Sequence, residues 1–191
     1  MDNIKHSFLE AQRILNEFAS LEENFIKIRQ AGDLIVKALK SNKKIISCGN
    51  GGSMCDAMHF AEELSGRFRI NRAPLPAIAI SDPSYLSCFA NDYGYQYSFS
   101  RFIEAMGHPG DILIAISTSG NSANIIEAVK AAKKMQMWVV ALTGKDGGQL
   151  ASICDLELRS PASKFSDRVQ EIHIKIIHTL VNYIEQCLFN N

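Results

Sequence analysis

The chain has 191 residues, 47% of them hydrophobic, with 20 Lys plus Arg against 20 Asp plus Glu. That length suits one domain (residues 1–191) that buries most of its apolar surface without a disulfide or a metal, and a net charge of zero argues against a broad nucleic-acid surface, though not against a local pocket for one phosphate. Five cysteines, Cys48, Cys55, Cys88, Cys154 and Cys187, form no C-x-x-C pair and read as reduced thiols.

From the N-terminus, residues 3–41 contain no Pro and one Gly. Phe8, Ile14, Leu15, Phe18, Leu21, Phe25, Ile28, Leu34, Ile35 and Leu39 recur at three- and four-residue steps, which predicts one long amphipathic helix or two in series. Their apolar face needs cover, from the domain or from another subunit. No signal-peptide core precedes them, and no apolar run approaches the roughly 18 residues of a membrane span. A cytoplasmic protein without membrane contact is the expectation.

Next comes the apolar run 44–48, the loop Gly49-Asn50-Gly51-Gly52-Ser53, and a helical pattern over about 54–64. The unit recurs. Strands are predicted at 77–80, 111–116 and 137–142, and a weaker one at 155–158. They alternate with helices, one running to about Met135 and the last over about 165–189. Near-continuous apolar strands between helices indicate a parallel sheet covered on both faces. The fold class is α/β, a three-layer doubly wound (flavodoxin-like) five-stranded sheet with long terminal helices. Ligands of such sheets bind at the C-terminal ends of the strands.

Two of those ends carry polar loops. Gly49–Ser53 lets the backbone approach an anion at a helix N-terminus, or is a tight turn with Ser53 as N-cap. A dinucleotide fingerprint would need Gly where Met54 stands. Ser117-Thr118-Ser119-Gly120-Asn121-Ser122 places four hydroxyls in six residues before a helix, more than one cap requires. His59 and Glu63 share a helical face, with Glu62 beside them. The last helix offers Gln170, Glu171, His173 and His178. Gln170 and His178 are about 80° apart around the axis, Glu171 and His178 about 20°. A His and a carboxylate in one pocket suit acid–base catalysis, or a divalent metal such as zinc. Periodicity neither brings the two helices together nor selects Gln170 over Glu171. Asn91-Asp92 before Tyr93-Gly94 reads as a loop, and Asp167 as a first-turn residue of the last helix.

Taken together, the segments Cys48–Ser53, Ala57–Leu64, Ser117–Ser122 and Val169–His173 with His178 resemble the sedoheptulose 7-phosphate isomerases, a branch of the sugar-isomerase (SIS) domain family. The resemblance covers nearly the whole chain. It implies interconversion of sedoheptulose 7-phosphate and D-glycero-D-manno-heptose 7-phosphate, the first step towards ADP-heptose for lipopolysaccharide core. It implies Glu63 and His178 as the proton-transfer pair, and one zinc per subunit on His59, Glu63, Gln170 and His178. Substrate contacts would come from Asn50, Gly51, Gly52, Ser53, Glu63, Asn91, Asp92, Ser117, Thr118, Ser119, Ser122 and Gln170, and the assembly would be a homotetramer with sites between subunits. A non-catalytic phosphosugar-sensing or replication-initiation protein on the same fold is the alternative. Retention of both Glu63 and His178 favours the enzyme.

Overall fold

The computed structural model describes residues 2–189. Two helices open the chain, α1 (Asp2–Ala19) and α2 (Glu22–Lys40), parted at Ser20-Leu21. Then β1 (Ile45–Gly49), α3 (Gly52–Ser65), β2 (Ala77–Ala79), α4 (Pro83–Tyr93), α5 (Ser98–Met106), β3 (Ile112–Ser117), α6 (Ala123–Lys134), β4 (Trp138–Thr143), α7 (Leu150–Ile153), β5 (Leu156–Arg159) and α8 (Ser166–Phe189) follow.

The five strands form one parallel sheet in the order β2-β1-β3-β4-β5. Side chains alternate across it, as strand geometry demands. Ile112, Ile114 and Ile116 of β3 face a core shared with α1, α2, α3 and α8. Leu113 and Ala115 face the other layer, with Phe99 and Ile103 of α5 and Ile125 and Val129 of α6. Both faces are covered, which explains why the central strands are apolar throughout.

The strand order reverses between β1 and β3. Gly49 lies opposite Ile116 in that register, so the loops that leave these two strands are neighbours. In a doubly wound sheet this is where ligands bind. On the outer layer, α3 presents Ala57, Phe60 and Leu64 to the core, and α8 presents Ile172, Ile176, Leu180 and Ile184. Burying those stripes packs the two helices side by side.

Two local expectations are corrected. Asn91 and Asp92 belong to the last turn of α4 and not to a loop. The Asp82 carboxylate caps that helix by accepting from the Tyr85 N–H, Pro83 occupies its first turn, and Gly94 at φ +90° ends it. Ser53 is not an N-cap. Gly51, at φ +54°, holds that position and no side chain caps α3.

Candidate active site

The two switch-point loops enclose a cavity of about 320 Å³, lined by Asn50, Gly51, Gly52, Ser53, Ser117, Thr118, Ser122, Ser166 and Gln170 among others. Ser122 stands at the N-cap of α6, yet its side chain makes no capping bond. Its hydroxyl lies 3.0 Å from the Ser117 hydroxyl. These hydroxyls and the unpaired N–H groups at the start of α6 form a polar cradle suited to an anion. Ser119 is absent from the lining, and its Oγ accepts from the Asn121 N–H within the turn.

Gly120 sets the shape of this loop. It adopts φ +66°, and a Cβ there would fall within 2 Å of the Gly147 carbonyl, at 1.9 Å. Only glycine fits such an approach. Asn50 rims the cavity, but its amide is engaged. It donates to Asn124 Oδ1 at 2.9 Å, and its oxygen accepts from Asn124 Nδ2 and the Tyr95 hydroxyl at 2.8 Å each. Asn124 and Tyr95 were not singled out in the sequence, because neither sits in a motif.

Gln170, and not Glu171, points at the cavity. A Cβ on Gly52 would lie 2.6 Å from Gln170 Nε2. Glu171 instead pairs with Arg168 on the exposed side. Asn91 and Asp92 are exposed and do not line the cavity, and they hydrogen-bond each other at 3.0 Å. Asp167 is also exposed, in the first turn of α8.

The packing of α3 on α8 joins residues 119 positions apart. His59 Nε2 lies 3.0 Å from His178 Nε2 and 3.4 Å from Glu63 Oε1. One ligand atom from each of His59, Glu63 and His178 lies within 4.8 Å of the others. Glu62, exposed, stands 3.4 Å from His59 Nδ1. The Phe68 ring stacks on His178, centroids 6.0 Å apart. Burial, then His59, holds the His178 pKa below its ordinary value. Two imidazole nitrogens and a carboxylate oxygen at this spacing are a donor set that fits zinc.

Two further polar groups are buried: Asp56, which no motif singled out, and His173, named above only as one of four polar residues of the last helix. Asp56, on α3, has an unpartnered Oδ2, and burial pushes its pKa up to about 6. His173 is fully buried on α8 behind β4. Both lie on the buried stripes of their helices, and what the residues alone do not give is the partner each would meet. Burial also raises the Cys48 thiol to about 12, and all five cysteines are free.

A doubly wound domain whose switch-point loops build an anion cradle beside a His–Glu cluster defines a class, and the chain matches the SIS domain family over residues 7–144. A phosphoheptose isomerase of Cytophaga hutchinsonii is 59% identical over 94% of this chain and 94% of its own length. One of Histophilus somni is 56% identical over 97% of this chain and 95% of its own. The solved phosphoheptose isomerase of Francisella tularensis, 38% identical, superposes with a TM-score of 0.91 over 97% of both chains. The chain belongs to the phosphoheptose isomerase family, as its motifs suggested, and is an isomerase.

Proposed function

We infer that this isomerase interconverts D-sedoheptulose 7-phosphate and D-glycero-D-manno-heptose 7-phosphate through a cis-enediol, the first step towards ADP-heptose for lipopolysaccharide core. The observation that carries this reading is the convergence of Glu63 and His178 at a fixed remove from the hydroxyl cradle. Gly52 meets Gln170, and seven and eight residues on, His59 meets His178. At 1.5 Å rise per residue the cluster therefore lies about 10–12 Å along the helices from the cavity. An extended seven-carbon chain with bonds of about 1.5 Å spans about 8 Å before its phosphate ester is added. A phosphate held by Ser117, Thr118 and Ser122, with Ser119 joining once its hydroxyl leaves the Asn121 N–H, thus leaves C1 and C2 near Glu63 and His178.

Remote phosphate binding positions the reacting carbons. One member of the Glu63–His178 pair removes the proton beside the carbonyl, and the other protonates the carbonyl oxygen. A neutral His178, favoured by its burial, suits either role. Asn50, Gly51, Gly52, Ser53 and Gln170 contact the sugar hydroxyls. Asn91 and Asp92, which the resemblance adds to the substrate contacts, stand exposed on α4 outside the cavity lining and would meet only a part of the substrate that projects beyond it.

His59, Glu63 and His178 would hold one zinc per subunit; the Gln170 amide, the fourth donor the resemblance implies, rests against Gly52 and would have to swing along α8 to reach the ion. When bound, zinc supplies Lewis-acid polarisation of the carbonyl. A homotetramer accounts for the apolar side chains that a single chain leaves exposed on α1, α2 and the turn between them, including Phe8 at 74%, Leu21 at 56% and Ile26 at 50%. Among the described residues no helix is long and apolar enough to cross a membrane, which fits work on a small phosphosugar in the cytoplasm.

The test is Glu63→Gln, assayed with sedoheptulose 7-phosphate. Turnover should fall about 10³-fold, with KM within about threefold of the parent, because a general acid or base contributes roughly 10²–10⁴. Undiminished turnover would overturn the assignment.

A further inference from the structure

The connection from α3 to β2, residues 66–76, has no helix or strand, yet it holds a buried ion pair. The Arg72 side chain is 1% exposed and its partner Glu185, on α8, is 2% exposed. Arg72 Nε donates to Glu185 Oε1 at 2.9 Å. Glu185 Oε2 accepts from the Arg69 backbone N–H at 3.1 Å. The two terminal nitrogens of the guanidinium donate to the carbonyls of Glu63 at 2.6 Å, Leu64 at 2.8 Å and Ala73 at 3.0 Å. Glu63 and Leu64 close α3, where helix carbonyls lack an internal partner.

Stability does not explain this arrangement. An apolar pair of similar volume commonly serves as well as a buried ion pair. What only the planar fork of arginine supplies is several directed bonds fixed relative to one another. Those bonds join three things. One is the backbone of Glu63 itself. The second is α8, seven residues after His178. The third is the connection that carries Phe68, whose ring stacks on the His178 imidazole. Beyond their shared apolar core, the helix bearing His59 and Glu63 is thereby tied to the helix bearing His178 by directed polar bonds.

We propose that Arg72 and Glu185 are positioning residues for the isomerisation. They set the spacing of Glu63 and His178 and hold Phe68 on the His178 ring, without touching substrate. The proposal rests on the assignment of Glu63 and His178 as the proton-transfer pair.

Three variants test it. Glu185→Gln keeps the shape and removes the charge. Arg72→Lys keeps the charge and loses the fork. The double variant Arg72→Met/Glu185→Leu leaves no orphan charge, the costliest defect of removing one partner alone. The double variant should stay folded with a lowered Tm, because the carbonyls of Glu63, Leu64 and Ala73 and the Arg69 N–H lose their partners. Its kcat for sedoheptulose 7-phosphate should fall about 10- to 100-fold with KM within about threefold, the loss expected when supporting bonds around a reactive pair are removed. Arg72→Lys should recover only part of that loss. An unchanged kcat in the folded double variant overturns the proposal, and so does a loss confined to KM. If the double variant does not fold, the same comparison is read on Glu185→Gln.

A parent protein inert towards the sugar phosphate would count against the reaction assigned above, and a second readout then judges the clamp. Titration with Co²⁺ reports the geometry of His59, Glu63 and His178 by its visible absorption. Affinity about tenfold weaker in the double variant supports the clamp, and equal affinity overturns it.

Discussion

His173 should make this protein lose stability on mild acidification. The ring is fully buried, with Nε2 2.8 Å from the Thr143 carbonyl and Nδ1 without a partner. A neutral ring that donates from Nε2 satisfies this site. A second proton would sit on Nδ1 with nothing to accept it, and desolvation lowers the pKa to about 4. The unfolded chain protonates near 6.5. A depressed folded pKa gives stability that is complete above pH 6.5 and drains away as the pH falls towards 4. The gap of about 2.5 units corresponds to about 3 kcal/mol in full, and to about 2 kcal/mol between pH 7 and 4.5. Urea unfolding at those two pH values, at one fixed protein concentration because assembly shifts apparent stability, compares the parent with His173→Gln. The variant starts less stable at pH 7 but lacks this share of the pH dependence. Asp56, with its pKa raised to about 6, works in the opposite direction, its relative contribution present at low pH and lost as pH rises. It is common to both proteins and cancels in the difference. The same slope in parent and variant would refute the reasoning.

The two glycines of the site should behave in opposite ways. Gly120→Ala places a methyl group against the Gly147 carbonyl at φ +66°. It should cost about 3 kcal/mol, or about 6–12 °C in Tm for a chain of this length, with the cradle displaced and KM raised. Gly52→Ala meets only the tip of the Gln170 side chain. Its Tm should hold or rise, since alanine favours a helix by about 0.5–1 kcal/mol, while KM should rise about tenfold as the amide moves off the sugar, the equivalent of one lost hydrogen bond. Metal analysis after zinc loading should give about one zinc per subunit in the parent and a stoichiometry near zero in His59→Ala, because three donors rarely hold the ion when one is removed. Retained stoichiometry there would remove His59 from the ligand set.

Much of the architecture was legible in the residues because its signals are local. Apolar runs 44–48, 111–116 and 137–142 are strands because a sheet covered on both faces needs apolar side chains on each alternation. Gly49–Ser53 and Ser117–Ser122 announce polar turns by composition, and His59 with Glu63 share a face through the 3.6-residue period alone. Even the helix that absorbed Asn91 and Asp92 had its signal in Asp82-Pro83, a cap outweighed there by the turn-forming residues that follow it.

What the tertiary structure alone decided is which local features meet. The order β2-β1-β3-β4-β5 sets the two loops side by side. The burial of α3 and α8 against one core puts His178 Nε2 3.0 Å from His59 Nε2, turns Gln170 inward and leaves Glu171 in solvent. It also buries Arg72 and supplies the partners of Glu185 and His173, which the helical period puts on the inner face of α8 without saying what they would bond to. A helical or strand period fixes only which residues share a face. Which faces then pack together depends on the balance of burial and hydrogen bonding over the whole chain, and no window of sequence contains that balance.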